Sequence, residues 1–209
     1  MKTTTTTLIA IITAVLPSTF AATAFIPSVF APNNTAIHNK PISANNGQFF
    51  INSSTTAICA SWDPSCPSQN TTIITGPTGS SSSDWWMGIL ESGGQQIFTS
   101  AGPVGGDLYY AAAGSNNILP YKASRQVFKM ATTNDGRPKL VSWYSGIDYS
   151  ACPVGDGSFT VHNEVLRAGC SSFEFLIQET QAPAPRYYRC VGCQSRCYNA
   201  NIPCVGYYD

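Results

Sequence analysis

The sequence predicts an all-β protein, an antiparallel β-sandwich or barrel carrying a small disulfide-rich C-terminal tail. A trefoil-like twelve-stranded barrel is the alternative within that class. Three observations carry the prediction. Short runs of aromatic and β-branched residues recur along the chain, parted by Gly, Pro, Asn and Ser, with turn signals about every 8–12 residues. Within several runs the apolar residues alternate with period two, the mark of a strand with one buried face. No apolar stripe of helical period runs longer than two turns.

Taken in order, the chain opens on Met1 and Lys2, a threonine run, and the apolar stretch Leu8 to Leu16. Ala22 and Ala24 then form an Ala-x-Ala ending. These are the parts of a secretory signal peptide, and the apolar run is too short for a bilayer, which takes about 20 residues. The expected leader is 1–24, with the mature chain starting near Phe25 and no membrane span. The strand candidates follow: "GQFFINS", "TTIITG", "DWWMGIL", "QQIFTSA", "DLYYAAA", "RQVFKMATT", "KLVSWYSG", "SFTVHNEV" and "SSFEFLIQET". In "SFTVHNEV", alternation sets Phe159, Val161 and Val165 against Thr160, His162 and Glu164. In the last run it sets Phe173, Phe175 and Ile177 against Glu174 and Gln178. Ten to twelve strands fit a β-domain over 25–182. "GPTGSSSSD" is a polar loop without the lysine of a phosphate loop. "QAPAPR" is a polyproline-type spacer, after which 183–209 forms a cystine-rich tail.

Export decides the cysteine chemistry. The eight cysteines, Cys59, Cys66, Cys152, Cys170, Cys190, Cys193, Cys197 and Cys204, all lie in the mature part. In an oxidising compartment an even set of this kind reads as disulfides. The C-x2-C-x3-C-x6-C spacing of the last four could surround zinc, but thiolate sites need reduced cysteines, so no metal is expected. The tail is then a two-disulfide knot with three possible pairings. Asn33, Asn52 and Asn70 head Asn-x-Ser/Thr sequons, the acceptor pattern for glycosylation of an exported chain.

Charged residues make up 11% of the chain and the formal net charge is zero. A nucleic-acid partner calls for a basic stripe, and an anionic membrane for a basic cluster; neither is here. A surface rich in Ser, Thr, Asn and Gly suits an extracellular protein living among neutral polysaccharides. The aromatic pairs Trp85-Trp86, Tyr109-Tyr110, Tyr187-Tyr188 and Tyr207-Tyr208 would each place one ring inward and one outward on a strand. In the tail, Tyr187, Tyr188, Tyr198, Tyr207 and Tyr208 are candidate glycan- or protein-contact residues.

No catalytic constellation emerges, and no cofactor is expected. Of the two histidines, His38 reads as a turn residue, and His162 as a solvated neighbour of Glu164. Glu164 and Glu174 on adjacent strands are the best carboxylate pair for a glycosidase. Asp107, Asp148 and Asp156 fall at glycine-flanked turns, where Asp serves local structure.

A sequence of segments adds a resemblance. "IHNKPISANNGQFFI", "CASWDPSC", "GGQQIF", "GDLYYAAAGSNNILP", "YSACPVGDGSFTVHNEV" and "AGCSSFEFLI" follow one another in this order. Order and spacing resemble those of fungal IgE-binding and phialide-type cell wall proteins. The resemblance implies a secreted all-β protein of the fungal cell wall or surface, without an established catalytic centre. It also implies the pairings Cys59–Cys66 and Cys152–Cys170. The chain departs from the pattern at Ala113-Gly114-Ser115, where the family has a histidine, at Asp148-Tyr149, where it has a tryptophan, and in the added tail. The expected function is a structural or interaction protein of the wall without catalytic activity, in contact with wall glycan or wall proteins. A lectin-like carbohydrate-binding protein is the first alternative and a wall polysaccharide hydrolase the second.

Overall fold

The computed structural model describes residues 23–56, 71–76, 84–88, 95–100, 106–111, 123–143, 146, 148–163 and 168–181. Among these the fold is all-β, with twelve antiparallel strands in one sheet and no helix. The strands are β1 (Thr23–Phe30), β2 (Ile42–Asn45), β3 (Gln48–Ile51), β4 (Ile74–Gly76), β5 (Trp86–Met87) and β6 (Ile97–Thr99). After them come β7 (Leu108–Tyr110), β8 (Phe128–Thr132), β9 (Pro138–Ser142), β10 (Tyr149–Pro153), β11 (Phe159–His162) and β12 (Ser171–Thr180).

Strand β12 is the spine. On one edge its residues Glu174 to Thr180 pair with Phe30 to Ala24 of β1. On the other edge it changes partner along its length. Phe175 and Leu176 face Leu140 and Lys139 of β9, while Ser171 to Phe173 face Ala151 to Tyr149 of β10. One wing therefore runs β5-β4-β1-β12-β9-β8, and the other continues from β10 through β11 and β3 to β7 and β6, with β2 on β3. The two far ends meet at a single bridge, Trp86 opposite Gln96, with Ile97 N donating to Trp85 O at 2.7 Å. No ladder closes the sheet there, so the architecture is sandwich-like.

Alternation explains where the core lies. β12 turns Phe173, Phe175 and Ile177 inward, as its sequence predicts, and leaves Gln178 exposed. Phe49 and Ile51 of β3, Val161 of β11, and Tyr149 and Ala151 of β10 join them at 0% exposure. Each large apolar side chain buried this way stabilises the fold by about 1.5–3 kcal/mol. Trp85 is buried and Trp86 half-buried, as an adjacent pair on a strand requires. Trp85 packs at 5.7 Å from Phe25, and its ring fills the space over Gly76, where a Cβ would sit 2.5 Å away.

Local chemistry sets the turns. Asn46 and Gly47, at φ 47° and 80°, make the two-residue connection between β2 and β3, a backbone that Asn-Gly supplies at least cost. Asp156 accepts from Ser158 N at 2.8 Å and from Ser158 Oγ at 2.5 Å, which secures the β10–β11 hairpin. Those bonds hold its carboxyl below the usual range. Strand β1 tolerates Pro27 because β4 pairs only with Thr23 to Phe25, so one edge has no ladder at residue 27. Thr23 and Ala24, the last residues of the expected leader, belong to this strand.

Candidate functional site on the outer face of the second wing

Where β3, β7, β10 and β11 bury their odd-numbered or even-numbered core residues, the intervening side chains stand on the opposite face. Register places Thr160 beside Phe50 of β3, and His162 between Ser150 of β10 and Asp107, just ahead of β7. Tyr109 faces Gln48 on one side and Phe98 of β6 on the other. Four strands thus bring Phe50, Phe98, Tyr109, Asp107, Thr160 and His162 onto one face.

The centre is a chain of three polar groups. Asp107 Oδ1 lies 2.5 Å from His162 Nδ1, and His162 Nε2 lies 2.8 Å from Thr160 Oγ1. A carboxylate only accepts, so Nδ1 carries the hydrogen. In the neutral imidazole Nε2 then accepts from the Thr160 hydroxyl. Tyr109 donates its hydroxyl to Asp107 Oδ2 at 3.0 Å, and its ring stacks on Phe98 with centroids 5.8 Å apart. Burial, followed by the bond to Asp107 and its charge, pushes the Tyr109 phenol up to about 12. Reciprocal backbone bonds between Gly106 and Asn163, at 3.2 and 2.8 Å, hold the Asp107 segment against β11.

Hydroxyl, imidazole and carboxylate in this order are the parts of an activated nucleophile. Acyl transfer also needs N–H donors aimed at the developing oxyanion. Thr160 sits inside the sheet with Cys152 and Phe50 paired on its two sides. Its hydroxyl also reaches the main-chain carbonyl of Cys152, at 3.3 Å. The chain of contacts ties the segment ahead of β7 to β11. The partly exposed Phe50 and Tyr109 rings sit among hydrogen-bonding Gln48 and Thr160. Flat rings with neutral donors and acceptors beside them match the chemistry of a neutral polar ligand such as a sugar.

The reading of His162 as a solvated neighbour of Glu164 is corrected here. Its side chain is 6% exposed and pairs with Asp107. Strand alternation tells which face a residue takes but not whether that face is covered. The Thr-x-His spacing on β11 was a visible sign of the Thr160–His162 contact. Asp107 was not findable, because the register between its segment and β11 is a property of the whole fold. His38 is a turn residue as expected, its Nδ1 accepting from Ala31 N at 3.2 Å.

Cys152 and Cys170 form a disulfide, with Cα atoms 4.3 Å apart. Asn33 and Asn52 lie exposed in turns. Glu174 and Asp148 both bind the Lys139 ammonium, at 2.6 and 2.9 Å. Cys59, Cys66, Cys190, Cys193, Cys197, Cys204, Asn70, Glu164, Tyr187, Tyr188, Tyr198, Tyr207 and Tyr208 lie outside the described residues. Among the described residues no three His, Cys, Asp or Glu gather as a metal site, and no helix is long and apolar enough to cross a membrane. Trp143 is an exposed aromatic, 41% accessible, with the Lys129 ammonium 5.5 Å from its ring. No family model, curated protein or solved structure matches the chain.

Proposed function

We propose that the chain is a secreted protein of the fungal cell wall or cell surface that acts by contact and not by catalysis. The leader, the sequence resemblance and the low charge support export to a glycan-rich setting, and the Cys152–Cys170 bond is consistent with an oxidising one. The observation that carries the contact reading is the outer face of the second wing. There the partly exposed Tyr109 is fixed by Asp107 and Phe98 next to Phe50, Gln48 and Thr160. A ring held in place loses little freedom when a partner stacks on it. IgE binding, named in the resembled family, would be a further property of an exposed surface of this kind.

Pull-down of the purified protein on chitin, β-1,3-glucan and whole fungal wall tests the proposal, with Tyr109→Ala and a chain ending at Ala182 alongside. Retention of the intact protein on whole wall, reduced in Tyr109→Ala, supports contact through this face. Loss on truncation alone transfers the contact to the tail. No retention on any of these materials ends the proposal.

Fixed aromatic geometry also favours a second reading, a lectin-like protein with a defined sugar site. Saturable binding of one soluble oligosaccharide, abolished by Tyr109→Ala, separates it from general wall contact. A hydrolase built on Glu174 has less support, since Lys139 holds that carboxylate. Release of reducing sugar that vanishes in Glu174→Gln would restore it.

A further inference from the structure

Two of the sequons lie in described turns, and their acceptor nitrogens have different surroundings. Asn33 is exposed and its side chain makes no hydrogen bond among the described residues. Its neighbour Asn34 fixes the turn instead, accepting from Ala36 N at 3.1 Å through Oδ1 and donating from Nδ2 to Ser171 Oγ at 2.9 Å. Asn52 is exposed as well, yet its Nδ2 donates to Ala36 O at 3.0 Å and to Gly157 O at 3.4 Å. It does so from a left-handed backbone, φ 58°. One carboxamide thereby joins the turn after β1 and the β10–β11 hairpin to the end of β3.

We infer that Asn33 is the glycan-bearing site of the two, and that Asn52 is a clamp kept free of sugar in the folded protein. Glycan transfer joins Asn Nδ2 to the anomeric carbon of a lipid-diphosphate-linked oligosaccharide. The C–N bond forms, the C–O bond to the diphosphate breaks, one amide hydrogen leaves as a proton, and the lipid diphosphate departs. A carboxamide nitrogen starts with two hydrogens, and at Asn52 two carbonyls take both. A sugar there removes one and places its bulk between the turns that Asn52 joins. At Asn33 the same reaction costs no contact, and the sugar points into solvent. Transfer precedes folding, so the selection falls on which glycoforms complete the fold and leave the cell.

This inference rests on the export proposed above, and its test separates the two. The wild-type chain is produced in a eukaryotic secretory host behind a heterologous leader, and in parallel behind its own. Occupancy is read by peptide mapping after enzymatic deglycosylation, which converts each formerly occupied Asn to Asp. The expected result is an occupied Asn33 and an unmodified Asn52 in the secreted, folded protein. Ser54→Thr controls for a weak acceptor sequence, and Asn52 is expected to stay unmodified in that secreted protein too. A sugar on Asn52 in most of the secreted wild-type or Ser54→Thr molecules overturns the inference, as does an empty Asn33. If the heterologous leader yields the expected pattern while the native leader leaves the chain inside the cell, export is refuted and the site assignment stands.

Discussion

At the scale of single residues, the Tyr149 hydroxyl works against the fold. Tyr149 is fully buried between Phe173 and Phe175, with ring centroids 6.0 and 4.8 Å away. Its hydroxyl has no hydrogen-bond partner among the described residues. Burial, and then the charge of Asp148, pushes its ionisation well above the ordinary tyrosine value. A buried polar atom without a partner costs about 1–3 kcal/mol. Tyr149→Phe keeps the ring and removes the cost, so thermal unfolding should shift up by about 2–4 °C per kcal/mol recovered. An unchanged or lower midpoint would mean that the hydroxyl is satisfied. His162 is the opposite case. Removing one partner of a buried hydrogen bond leaves the other unsatisfied, at a cost of about 1–3 kcal/mol. Asp107 keeps 29% exposure and water can reach it, so the expectation for His162→Ala is about 1–2 kcal/mol. Urea unfolding should show it as a lower midpoint at unchanged slope. If the midpoint holds, the chain from Asp107 to Thr160 contributes nothing to stability.

Among the elements, β12 has the most to lose, because it serves both wings. The Cys152–Cys170 disulfide ties its entry to β10 across a separation of 18 residues. Closing a loop of this size removes about 3 kcal/mol of chain entropy from the unfolded state. The Cys152→Ala/Cys170→Ala double variant should be destabilised by about that amount, read from urea midpoints. A loss well under 1 kcal/mol would mean that pairing of β12 with β1 and β9 already fixes the junction. Strand β12 was legible in the sequence, since Phe173, Phe175 and Ile177 alternate with polar neighbours. Strand β2 was not: Ile42, Ser43 and Ala44 are buried in succession, Ser43 because its hydroxyl donates to Ser53 O at 2.7 Å. Period two disappears when both faces are covered. Strand β1 escaped notice for a different reason, its first residues falling inside the pattern of a leader. The chain of contacts at His162 was half legible, Thr160 and His162 sharing one strand, while Asp107 arrives through non-local pairing.

Seen as a whole molecule, the chain has few charges, and its pH response comes from a handful of groups. On the acid side, hydrogen bonds from Arg137 and Thr133 lower Asp135 to about 2, and Ser158 lowers Asp156. A depressed carboxyl stabilises above its unfolded value of about 4, and the gain is lost as pH falls through the folded value. Both groups are fully exposed, so this acid limb is shallow. On the alkaline side three groups act together. Burial raises Tyr109 and Tyr110 to about 12, with the Asp107 bond adding to the first and the Gly47 backbone bond opposing the second. Lys139 is raised as well, its partial burial outweighed by hydrogen bonds to Glu174 and Asp148. In each case the unfolded chain loses its proton first, so stability falls as pH climbs from about 10 towards the raised folded values. For the mostly buried Tyr110, a move from 10 to about 12 corresponds to at most about 3 kcal/mol. Urea midpoints should therefore stay nearly level from pH 4 to 9 and drop between pH 10 and 12. Tyr110→Phe should flatten part of that drop, because phenylalanine has no proton to lose in either state. A drop of the same size in Tyr110→Phe would place the alkaline sensitivity elsewhere.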